Sequence, residues 1–268
     1  MTDENEVEKQ HFQHIRFMFE ASIKLNVSPI PLATACTLYH KFFHHCDITD
    51  YDPHMVATTS LYLAGKIEEE HLKLRDVINV CYRTLNKDEP PLEIGETYWT
   101  LRDGVVNFEL FMMRVLKFQV KFIHPHKYVL HYYKSLSDWL HPQTVNHVPI
   151  LTTAWALLRD SYHSDIILHH KAQHVAIAVL YLAFQCHGVD VPYDGEADTI
   201  WQQALCDGIR TKDIEYIVDR LIQTYDLEDN IYSIPSQPQR QSRIDTPMSD
   251  SSSQMSNPME QVSIIPGF

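Results

Sequence analysis

Apolar residues recur at three- and four-residue spacing from near Val7, and the pattern is broken at Ser28-Pro29, where proline disfavours further helix. A second helix is expected from about Ile30 to His45. At Asp52-Pro53 an N-cap acceptor precedes a proline at the first helical position, so a third helix should run to about Glu70. Its stretch from Met55 to Gly65 carries no charge on any side, which requires a central helix with others packed around it. Leu74 to Tyr82 predicts a short fourth helix, Asn86 to Pro91 a loop, and Tyr98 to Phe118 a long fifth helix. After a break at His124-Pro125 the pattern restarts as Lys127 to Leu140, Val148 to His163, Ala172 to His187, Ile200 to Asp207 and Lys212 to Tyr225.

An internal repeat accounts for the restart. Val56-Ala57 and Leu61-Tyr-Leu-Ala64 recur as Val175-Ala176 and Leu180-Tyr-Leu-Ala183, each position 119 residues after its partner. The same shift lays the second helix onto Pro149 to Ser164, so both halves are read as copies of one bundle. The expected division is an N-terminal tail (1–10), a first bundle (11–120), a second bundle (121–228) and a disordered tail (229–268) rich in Ser, Gln and Pro.

Composition sharpens the fold class. With only 7 glycines in 268 residues, and long stretches free of Gly and Pro, the chain reads as all-α: two five-helix bundles in tandem. A formal charge of −13 and the absence of a Lys/Arg run argue against direct nucleic-acid binding. Five scattered cysteines without C-x-x-C pairing suggest buried thiols in a reducing compartment. The polar first residues and the lack of a long uncharged apolar run suggest an intracellular protein, nuclear or cytoplasmic, without a membrane span.

Two charges stand out on their own. Lys66 is the first charge after the uncharged run, and Glu109 sits in an apolar helix among Val105, Val106, Met112 and Met113. Lys66 could instead pair with Glu69 or Glu70 one turn on, and Glu109 could face water. Glu68-Glu69-Glu70 places negative charge at a helix C-terminus, where the helix dipole disfavours it, a hint of an external partner. The 17 histidines include His40, His44 and His45, and the His170/His174 pair, but no acidic or Cys ligand completes a metal set. No phosphate-binding glycine loop or nucleophile elbow occurs, so neither enzymatic activity nor a cofactor is expected. Thr246-Pro247 has the form of a proline-directed phosphorylation site; an unused Thr-Pro in a disordered segment is the equal alternative.

Tandem five-helix bundles with small-residue central helices resemble the cyclin box repeated twice. Arg16-Phe-Met-Phe-Glu-Ala opens the first box, Leu32-Ala-Thr-Ala and Tyr39-His-Lys-Phe-Phe43 form its second helix, and Leu63-Ala-Gly-Lys-Ile-Glu-Glu69 ends its third. Glu109 to Phe118 and His124-Pro-His-Lys-Tyr128 look like the end of that box and the linker of transcription-type cyclins. Ala176 to Ala183 and Val189-Asp-Val-Pro192 continue the likeness, which covers roughly Val7 to Asp226.

The resemblance implies a regulatory subunit that activates a cyclin-dependent kinase, in detail the tenth cyclin-dependent kinase. It implies that Lys66 and Glu109 grip the kinase beside an apolar surface around Phe108, Phe111 and Met112, and that Arg16 ties the first helix to its bundle. Gln185 stands where the second copy would repeat Lys66, which points to the first box as the kinase-binding one. The Met-Arg-x-x-Leu run with which cell-cycle cyclins dock substrates is missing from the first helix. The alternatives are a scaffold or transcription factor on the same tandem fold, as in the core of general factor IIB, which predicts a basic face, and a helical enzyme, which predicts a catalytic set.

Overall fold

A computed structural model of the chain describes residues 2–191 and 201–232. The regular elements of the described residues are all helices, in the order α1 (Thr2–Leu25), α2 (Pro29–Phe43), α3 (Pro53–Ile67), α4 (Leu74–Leu85), α5 (Glu96–Val115), α6 (His126–Ser137), α7 (Pro142–His147), α8 (Ile150–Asp160), α9 (Ile166–His169), α10 (Ala172–Cys186), α11 (Trp201–Leu205) and α12 (Thr211–Tyr232). A 3₁₀ turn, Ser161–His163, extends α8.

The central-helix expectation holds in both halves. α3 contacts α1, α2, α4 and α5, while α10 contacts α6, α8, α9 and α12. Small residues allow this: Ala57, Ser60, Ala64 and Gly65 in α3 and Ala176, Ala178 and Ala183 in α10 are buried, so neighbouring backbones approach closely. The two helices begin and end in matching register, Pro53 and Ile67 against Ala172 and Cys186, as the repeat requires. Asp52 caps α3 as its sequence predicts, accepting from the His54 amide at 3.0 Å.

Some boundaries differ. Within the stretch expected as a tail, residues 1–10, residues 2–10 form the first turns of α1, and Arg220 of α12 donates to Glu8 at 3.0 Å to hold them. α7 and α9 were not anticipated: with six and four residues they carry too little periodic pattern to be seen. α12 continues to Tyr232, past the expected start of the C-terminal tail, and Thr246 lies outside the described residues. Arg16, expected to tie α1 to its own bundle, reaches the other half instead. It donates to Glu228 at 2.7 Å and lies 4.0 Å from the Tyr232 ring, joining α1 to the last helix of the other half.

Three helices end in the same way without the usual glycine. At the ends of α1, α3 and α5 an amide bonds back to the carbonyl five residues earlier: Val27 to Ser22, Glu70 to Gly65, Phe118 to Met113. The intervening Asn26, Glu69 and Lys117 take φ of 55°, 58° and 52°, a conformation that costs an L-residue about 1 kcal/mol or more. Glu69→Gly should therefore stabilise the fold by about 1 kcal/mol, raising Tm by about 2–4 °C in thermal unfolding followed by circular dichroism.

Candidate functional site

The C-terminal end of α3 and the middle of α5 meet at Lys66 and Glu109. The end of α3 is fixed by the turn just described, and by two carboxylates of the following acidic run. Glu70 accepts from the Ser28 amide at the start of α2, at 3.0 Å, and Glu68 accepts from the Thr34 hydroxyl at 2.6 Å. The hint drawn from Glu68-Glu69-Glu70 is thus corrected, since two of its three charges are used inside the fold.

With Glu70 and Glu68 engaged, Lys66 turns to α5. Its ammonium donates to both Glu109 oxygens at 2.8 Å, and it lies 4.3 Å from the Tyr62 ring centre. Partial burial acts to lower the Lys66 pKa, but Glu109 and Tyr62 outweigh it and the pKa is raised, so Lys66 stays charged. The Lys66 side chain is 49% exposed and that of Glu109 18%, which leaves the ammonium open to a further acceptor. In the second half Gln185 donates to the Tyr181 hydroxyl. The copy keeps the aromatic partner and has lost the charge.

The apolar surroundings depart from expectation in one residue. Met112 is wholly buried, its sulfur 3.8 Å from the Ser60 hydroxyl, so it belongs to the core and not to a surface. Phe108 and Phe111 are half-buried in an aromatic cluster with Phe42 and Tyr51, ring centres 5.4 to 6.2 Å apart. Near Glu109 along α5, Val106 and Leu110 are 43% and 50% exposed, and beyond α5 Phe118 is 61% exposed. Phe118 is held out by left-handed backbone at both Lys117 and itself, φ 52° and 60°. Two strained non-glycine residues presenting an exposed aromatic mark a place where structure serves something besides stability. Sequence reasoning missed Phe118 because a helix-period pattern gives no sign of how the chain leaves the helix.

A largely buried hydrogen-bonded chain joins the two halves. Tyr162 donates its hydroxyl to His124 Nδ1 at 3.0 Å, His124 Nε2–H donates to Thr34 at 2.8 Å, and Thr34 donates to Glu68. That direction of donation follows from Thr34 giving its one proton to the carboxylate. His40 bonds the Tyr162 carbonyl at 2.9 Å. These histidines brace the interface, and among the described residues no three His, Cys, Asp or Glu side chains are grouped to hold a metal. Nor is any described helix long and apolar enough to cross a membrane.

Fold and repeat define an all-helical protein of two related bundles, and comparison with known proteins shows what it is similar to. Residues 2–121, a little under half of the chain, match the cyclin N-terminal domain. Cyclin-T1-5 of Arabidopsis thaliana is 27% identical over 214 residues, 78% of this chain and 35% of that protein. Cyclin-L2 of Homo sapiens is 28% identical over 176 residues, 64% of this chain and 33% of that protein. The chain therefore spans about a third of the length of the curated relatives it matches. Among solved structures, a chain of the yeast RNA polymerase II CTD kinase CTDK-1 complex superposes with a TM-score of 0.64 at 17% identity, covering 83% of this chain and 68% of that one. A chain of the Chaetomium thermophilum CAK complex bound to ATP-gamma-S gives 0.62 at 17% identity, covering 83% and 65%. At such identities the likeness establishes the fold alone.

Proposed function

We propose that this protein is the activating subunit of a cyclin-dependent kinase, bound through the face that carries Lys66, Glu109, Val106, Leu110 and Phe118. The supporting observation is a charged pair, Lys66 with Glu109, whose ammonium remains half exposed beside large apolar side chains that the fold leaves uncovered. The match to the cyclin N-terminal domain and the kinase complexes among its structural likenesses favour the same reading. In finer detail the chain resembles cyclin Q, also called cyclin M, which makes the tenth cyclin-dependent kinase the partner to test first. Action within the cell, in the nucleus or cytoplasm, goes with that reading.

A kinase of this class alone holds its αC helix displaced, so the Lys–Glu pair required for phosphoryl transfer is not assembled. A partner that binds only the inward αC position shifts the population toward it, and moving the ratio from 1:99 to 99:1 takes about 5.5 kcal/mol. Fully burying a Val, Leu or Phe contributes roughly 1.5–3 kcal/mol each, so Val106, Leu110 and Phe118, already about half buried, would supply about 2–5 kcal/mol, and further contacts the remainder. Lys66 and Glu109 then set register and orientation. Nothing in this scheme has the chain perform chemistry itself, so we assign it no enzymatic role.

The test is purification with a panel of cyclin-dependent kinases and assay of peptide phosphorylation with and without this protein. Wild type should bind one kinase and raise its rate strongly, and Leu110→Asp/Phe118→Asp should lose at least about 100-fold in binding while keeping its helical spectrum. If wild type activates none, the scaffold reading takes precedence; activation that survives the double substitution would move the interface elsewhere.

A further inference from the structure

The charge of the chain is distributed unevenly. From Arg114 to Ser137 there are five cations, Arg114, Lys117, Lys121, Lys127 and Lys134, and no carboxylate, within a protein of net charge −13. No run of basic residues betrays this, because the cations are spaced by three to seven residues and the fold adds others from distant segments. Lys41 of α2 donates to the Gln119 carbonyl at 2.9 Å and lies 5.3 Å from the Phe122 ring centre. Lys171, just before α10, lines the same open cavity of about 390 Å³ as Lys121, Ile123 and Tyr128. Lys127 lies 4.9 Å from the Tyr128 ring centre, at the edge of that cavity.

Among the described residues, none of Lys41, Lys121, Lys127 and Lys171 pairs with a carboxylate; the ion pairs use other cations, such as Lys24, Lys66 and Lys87. Asp213, an acid near Lys171 through His174, is held by Arg210 at 2.8 Å. Ile123, which lines the cavity with Lys121 and Lys171, is 64% exposed. Unpaired cations around an uncovered isoleucine form a surface complementary to an acidic segment with an apolar side chain.

We infer that the linker face formed by Lys121, Ile123, Lys127 and Lys171 is a docking site for an acidic, Asp/Glu-rich peptide segment of a partner protein, seated with one apolar side chain against Ile123. A long polyanion such as RNA fits less well, because beyond this patch it would meet the field of a strongly acidic protein. A short segment confines its charge to the patch. The inference is separate from kinase activation, since it involves neither Lys66 nor Glu109.

The test uses the full chain and a short fluorescent peptide of Asp and Glu around one Phe, read by anisotropy at low salt. A peptide with Asn and Gln in place of the acids and an oligo(U) RNA of equal charge serve as comparisons. Wild type should bind the acidic peptide, weaken at least about tenfold when salt is raised to about 0.3 M, and ignore the neutral peptide. Lys121→Glu/Lys127→Glu/Lys171→Glu should abolish binding, and Lys73→Glu/Arg75→Glu, which reverses charges at the start of α4, should leave it within about twofold. Absence of binding by wild type, equal binding of the neutral peptide, or binding unchanged by the triple reversal would each overturn the inference. RNA binding as tight as the peptide's would overturn it in favour of a nucleic-acid surface.

Discussion

Acidification from about pH 7 to about pH 5 is expected to cost the folded protein on the order of 5 kcal/mol, comparable with the whole stability of an ordinary domain. Four histidines carry most of this. Burial, reinforced by His40, pushes the His11 pKa down to about 4, and burial reinforced by His54 does the same to His14. Burial alone lowers His124 to about 4, and burial with the neighbouring His124 lowers His126 to about 4. An unfolded histidine titrates near 6.5, so between about pH 6.5 and 4 the unfolded chain binds more protons than the folded one. The stabilisation is therefore fully present above about pH 6.5 and is lost as pH falls. Each group can contribute at most about 1.4 kcal/mol per pH unit, and the more solvated His14 contributes less. His40, His54 and His163, lowered chiefly by burial, act in the same direction.

Urea unfolding at about pH 7.5, 6 and 5 should show a midpoint that falls steadily with pH at nearly constant slope. His126→Phe sharpens the test. Its Nδ1 is buried without a hydrogen-bond partner, so phenylalanine removes a titrating group and sacrifices no hydrogen bond at that atom. That variant should be as stable as wild type near neutral pH and visibly more resistant near pH 5. A midpoint independent of pH would mean that these rings are solvated in the folded protein.

The histidines also show where the sequence stopped being informative. Helix positions, the central place of α3 and α10 and their common register follow from apolar periodicity and the repeat, which depend on local spacing. What His40 and His124 do depends on Tyr162, 122 and 38 residues away, and no local pattern encodes such a meeting. The same distinction separates the residues of the candidate site. Lys66 and Glu109 are each conspicuous in sequence, but their pairing joins residues 43 apart and appears only once α3 lies against α5. Met112 was misplaced because an apolar residue in an amphipathic helix can face core or partner equally well, and its position against Ser60 decides. Glu68 and Glu70 were misread for a further reason: helix-dipole reasoning considers one helix, whereas their donors stand on another.

Because Lys66 and Glu109 bind each other, simple removal of either does not distinguish an internal brace from a contact with a kinase. Lys66→Ala/Glu109→Ala should change the stability of the free protein by less than about 1 kcal/mol, since the pair joins a half-exposed ammonium to the carboxylate. If the pair also engages the kinase, the same variant should weaken activation about 30-fold or more, the equivalent of roughly 2 kcal/mol. The exchanged variant, Lys66→Glu/Glu109→Lys, separates the two roles. It rebuilds an opposite-charge pair between α3 and α5, so a merely internal brace would be restored and activation with it. A kinase surface matched to an ammonium on α3 and a carboxylate on α5 would instead meet both charges reversed, and activation should remain at or below the level of the double alanine variant. Recovery in the exchanged protein, with kinase binding by wild type intact, would leave the kinase-activating reading standing and assign recognition to Val106, Leu110 and Phe118 alone.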